Sequence, residues 1–224
     1  MRVLVNVIRW IVWKDLICEL RNRENLAAML FFALNILLVF SFSFAMDDLT
    51  GILPGLIWTA FGFTSIVGLG RSFVPEVQND CVEYYQILPV HKGAIYLGKL
   101  VGNLLFMMLV TTALVPLLIL FFNIDFGGAP AILLLVWLAG TAGLAILGTL
   151  FSALTSRIRA REVMFPLLLL PLSVPVFIGA VEATRGALAG DPLSHYRHWV
   201  DLLLIFDGIF VIVSFWVSEL ILDD

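Results

Sequence analysis

The sequence predicts an all-α membrane protein: six transmembrane helices, an N-terminal interfacial amphipathic helix, and a cytoplasmic coupling helix between spans two and three. Three observations predict it. The 224 residues are 61% hydrophobic and 13% charged, with mean hydropathy +1.04. A soluble domain carries about 25% charged residues. The apolar residues gather in six blocks, at 26–46, 52–70, 97–122, 131–154, 163–181 and 202–222. A helical span needs roughly 20 such residues. No block alternates at period two, which argues against a barrel, and lipid leaves helices as the other way to pair the backbone. Residues 1–224 read as one transmembrane domain.

Residues 1–25 come first. Asn6, Arg9, Lys14 and Asp15 interrupt the apolar run and no small-residue cleavage site follows, so it is not read as a signal peptide. Val5, Ile8, Val12 and Leu16 share one helical face, while Arg2, Asn6, Arg9 and Lys14 suit headgroups and Trp10 and Trp13 an interface.

Basic residues set the orientation of the spans. Arg2, Arg9, Lys14, Arg21 and Arg23 precede block one. Arg71 and Lys92, with Lys99 at the margin, lie between blocks two and three. Arg157, Arg159 and Arg161 lie between blocks four and five. Only Arg185 and Arg197 fall on the other side. Both termini and the 71–99 segment are therefore expected in the cytoplasm, and Cys18 and Cys81 as free thiols.

That segment, "RSFVPEVQNDCVEYYQILPVHKGAIYLGK", is the largest polar interruption. Pro75 suits a first helical turn and Pro89 ends the run. Between them Val77, Cys81, Tyr84, Tyr85 and Leu88 form an apolar stripe at helical period, and Glu76, Asp80 and Glu83 stack on another face. The expectation is a coupling helix over 75–88 with an acidic ridge. The inner leaflet attracts basic segments, so this ridge suits a basic protein partner better than lipid.

Block three opens with Gly98-x-x-x-Gly102, and block four carries Ala139, Thr141, Gly143, Ala145, Gly148, Thr149 and Ser152, all small enough for close helix approach. Block five holds Pro166, Pro171 and Pro175; Pro171 and Pro175 share a side and mark a helix that bends or yields. Asp207 lies inside block six, where a carboxylate is expensive, and is a candidate for substrate passage. His195 and His198 lie three apart between blocks five and six, beside Tyr196 and Trp199, candidates for contact with haem or a metal.

Other classes are disfavoured. The sequence has no GxxxxGK[ST] loop, HExxH or GxSxG, so it reads as non-catalytic. No basic cluster with interleaved aromatics suggests nucleic-acid binding. The two cysteines show no CxxC or CxxCH spacing and signal neither a metal site nor haem attachment.

Two stretches carry a resemblance: "PGLIW" with the Arg71–Lys99 segment, and "LLLLPLSVPVFI" in block five. Together with the length and the six spans, they resemble the haem exporter protein B (CcmB) family, the membrane subunits of an ABC-type complex in cytochrome c maturation. The chain departs from the family's pattern at Gly70, where an acid is common, and around Asp80 and Val82-Glu83. The resemblance implies a bacterial inner-membrane protein whose partners are an ABC ATPase subunit, a haem-handling membrane protein and a haem chaperone. It implies haem as a transported or transiently touched ligand and no stably bound cofactor. Six spans are half of an ABC exporter core, so a homodimer is expected. In this picture Glu76, Asp80, Glu83, Tyr84 and Tyr85 couple to the ATPase, and Pro171 and Pro175 let span five yield. Alternatives are an ABC exporter subunit for a lipid, glycan or drug, and a non-transporting scaffold.

Overall fold

A computed structural model describes residues 2–43, 49–78, 92–122, 129–156 and 158–223. Every element among them is helical: α1 (Arg2–Arg21), α2 (Arg23–Ser43), α3 (Leu49–Leu69), α4 (Val74–Gln78), α5 (Lys92–Phe122), α6 (Pro130–Thr155), α7 (Arg161–Ala189) and α8 (Leu193–Asp223). Six stretches are long and apolar enough to cross a membrane, beginning at Arg23, Gly51, Lys92, Pro130, Arg161 and Leu193. The chain is a multi-pass membrane protein.

The helices outrun the apolar blocks. α5 begins at Lys92 and α8 at Leu193, because a polar first turn ends a hydropathy window without ending a helix. Lys99 therefore lies two turns inside α5 rather than at a loop margin. Gly190 closes α7 at φ 74°, a left-handed conformation that favours glycine.

α6 is the centre of the bundle, packed on α3, α5, α7 and α8. Its small residues make this possible. A Cβ at Gly140 would overlap the Trp58 ring, and one at Gly148 would overlap Leu69. The core joins Leu56, Trp58 and Phe61 of α3 to Phe106 and Met107 of α5, Leu144 and Leu147 of α6, and Val176 and Ala180 of α7.

α1 does not stand apart on a surface of its own. It packs along α5, with Ile11 against Gly98 and with Val12 and Asp15 against Gly102. A Cβ on Gly98 would meet Ile11 Cβ at 2.9 Å. The Gly98-x-x-x-Gly102 motif thus seats a helix of the same chain. The opposite side of α1 leaves Val5, Trp10 and Trp13 exposed.

Candidate functional site

Where α1, α4 and α5 meet, four charged side chains are drawn together from three separate parts of the sequence. The chain leaves α3 through a turn in which Ser72 N–H donates to the Leu69 carbonyl and Val74 N–H to that of Arg71. This turn aims α4 inward, and Glu76 is 3% exposed. The Lys99 ammonium, 4% exposed, lies 2.7 Å from Glu76 Oε1 and 3.4 Å from Asp15 Oδ2. It also donates to the Ser72 carbonyl at 2.7 Å and sits 5.0 Å from the centre of the Phe73 ring. From α1, Lys14 reaches the same Glu76 oxygen at 2.7 Å and Asp15 Oδ1 at 2.9 Å.

Two cations and two anions thus neutralise one another, three of them buried and the fourth, Lys14, at the exposed edge. Removing charges from water is costly, and close pairing with further hydrogen bonds offsets that cost. Lys14 reports the balance. Burial alone would lower its pKa, but the Glu76 and Asp15 carboxylates outweigh burial and hold it above the ordinary lysine range. Glu76 Oε2 and Asp15 Oδ2 accept no hydrogen bond among the described residues.

A polar chain continues inward from this cluster. Ser72 O–H donates to Asn103 Oδ1 (2.8 Å), Asn103 Nδ2 donates to Thr149 (2.9 Å), and Thr149 O–H donates to the Ala145 carbonyl (2.7 Å). The cluster is therefore tied through α5 to the central helix.

Glu76 is a correction to the acidic ridge. It faces Lys14 and Lys99, not an outside partner, because the turn at 70–73 and the short α4 point it into the bundle. Asp80, Glu83, Tyr84 and Tyr85, like most of the expected 75–88 helix, lie outside the described residues. Pro171 and Pro175 both lie within α7, Pro171 exposed and Pro175 half-buried. His195 and His198 are exposed in the first turns of α8, which is continuous with the last span. The buried Tyr196 between them packs on Gly186. Asp207 is half-buried, with Oδ1 over Gly143 and no hydrogen bond from a described residue. Among the described residues, His195 and His198 precede Asp207 by nine residues or more along α8 and do not share a site with it.

A second region escaped the sequence reading. Trp58 donates its indole N–H to Thr184 Oγ1 at 2.9 Å, across α3 and α7. Beside this bond lies an apolar cavity of about 330 Å³, walled by Phe61, Val115, Leu133 and Trp137 among others. The signal for it was Gly140, which makes room for the Trp58 ring.

Comparison with known proteins joins these regions in one family. A family model described as CcmB protein matches residues 6–219. The chain belongs to the CcmB protein family. Heme exporter protein B of Pseudomonas aeruginosa is 30% identical over 150 residues, 67% of each chain. The protein of the same name from Escherichia coli is 29% identical over 203 residues, covering 87% of this chain and 90% of the relative. That from Paracoccus denitrificans is 29% identical over 148 residues. The CcmB match takes in α1, the charged cluster and the cavity alike.

Proposed function

We propose that the chain is the non-catalytic membrane subunit of an ATP-driven complex in a bacterial inner membrane, exporting haem or driving release of a haem-loaded chaperone in cytochrome c maturation. The cargo follows from the relatives' name, heme exporter protein B. The coupling follows from one observation: the chain entering the 79–91 segment is fastened to α1 and α5 by the Glu76 ion pairs. A displacement of α4 would reach α1 and α5 through Glu76, and through Ser72, Asn103 and Thr149 the central helix. Rigid elements with two arrangements carry such coupling. Pro171 and Pro175 would let α7 yield.

The partners in this reading are an ABC ATPase subunit, a haem-handling membrane protein and its chaperone, and a second copy of the chain. Both termini face the cytoplasm. Haem is cargo and is not held stably; His195 and His198, exposed on the opposite side, and Asp207 are the residues offered for transient contact. With Glu76 turned inward, Asp80 and Glu83 carry the proposed docking charge. The chain should co-purify with an ATPase, and Asp80→Lys with Glu83→Lys should deplete that ATPase while leaving the membrane subunit intact. Full retention of the ATPase by the double variant rejects the docking role.

A further inference from the structure

The two-copy reading above leaves open where the copies meet, and α2 carries a feature that bears on it. Asn35 lies two residues from the middle of this 21-residue spanning helix, yet its side chain is exposed. Its only hydrogen bond among the described residues runs from Nδ2 to the Phe31 carbonyl of its own helix, at 2.8 Å. The carbonyl oxygen and the second N–H remain, and lipid tails can satisfy neither. Thr112, also exposed on a span, differs: its single O–H is used on the Met108 carbonyl within α5.

Asn35 is not isolated on its face. Ala28, Phe31, Asn35, Val39 and Phe42 are all exposed, Phe42 at 87%. Their spacings are three, four, four and three, so Ala28, Asn35 and Phe42 repeat every seven residues. That is the period of a left-handed helix pair, and one Asn in such a seam fixes register. The outward face of α8, with Leu204, Ile205, Ile209, Ile212 and Trp216, is as apolar, and between Leu202 and Ser218 it exposes no polar side chain. Lipid suffices there.

We propose that α2 is a self-association seam, packing in parallel against α2 of a second copy of this chain, with Asn35 meeting Asn35 across the two-fold axis. A primary amide both donates and accepts, so an identical amide is its complement. Small Ala28 lets the helices approach, and polar side chains bridge such pairs in membranes. An isologous contact of this kind closes at two copies.

The test uses the full chain in membranes, with Cys18 and Cys81 replaced by serine and single cysteines at Ala28→Cys, Phe42→Cys or, as control, Ile209→Cys. Oxidation should give several-fold more homodimer from the two α2 positions than from the α8 position. Adding Asn35→Leu to the Ala28→Cys chain should cut its yield several-fold. Crosslinking through Ile209→Cys and not through α2, adducts with the mass of a different protein, or a yield indifferent to Asn35→Leu each overturns the proposal. Co-purified ATPase without α2 crosslinks rejects the seam alone; α2 crosslinks without an ATPase reject the functional reading alone.

Discussion

Two carboxylates lie inside this membrane protein under opposite conditions. Glu76 shares one oxygen with two ammonium groups, each at 2.7 Å, and is nearly inaccessible. Asp207 lies over Gly143 with Oδ1 free of any hydrogen bond from the described residues. The first holds three segments together, so its charge is structural. Among the described residues the second bonds no partner, so no structural role for its carboxyl is visible there. Burial of an acid in a bundle therefore does not by itself mark function; its partners decide.

The same carboxylate-to-amide change at both positions gives the widest test of this contrast. Glu76→Gln removes the shared anion and leaves Lys14 and Lys99 with Asp15 alone. Breaking a buried pair from one side costs about 3–5 kcal/mol. Thermal denaturation of the detergent-solubilised chain should show a large loss, and Glu76→Leu with Lys99→Met should recover much of it. Little destabilisation by Glu76→Gln would mean that the cluster does not fasten α4, and the coupling reading would lose its anchor.

A smaller effect is expected beside Asp207. Gly143→Ala would place a Cβ 2.7 Å from Asp207 Oδ1 and 3.0 Å from Val176, so something must shift. Overpacking of a filled core costs about 1–3 kcal/mol. The same denaturation measurement checks it. A neutral or stabilising Gly143→Ala would show that α8 can move away from α6 there and that Asp207 is not confined.

The sequence made some of this visible and hid the rest for physical reasons. The spans were legible because lipid demands long apolar runs, and composition alone reveals those. The close approach at Gly98 and Gly102 was legible as small residues at helical spacing, but not the identity of α1 as the helix seated there. Glu76 was misread because its acidity was judged beside Asp80 and Glu83, its neighbours in sequence. Its true partners stand 62 residues before it and 23 after it. Pairing at that separation is a property of the packed bundle, and helical periodicity carries no trace of it. Asp207 was singled out because its immediate surroundings are apolar in sequence as well as in space.

Asp207→Asn completes the matched pair and should have the smallest effect on stability. The change removes a carboxyl that no described cation bonds, but adds an N–H₂ that the site must also satisfy. The two contributions oppose one another, so the net change should stay within about 1 kcal/mol, the range of a substitution that breaks no network. Stability and transport then separate. If Asp207 takes part in passage, the Asn variant should denature like the parent yet lose cytochrome c maturation in cells. A destabilisation as large as that of Glu76→Gln would show instead that Asp207 has a structural partner, and the distinction between the two acids would fall.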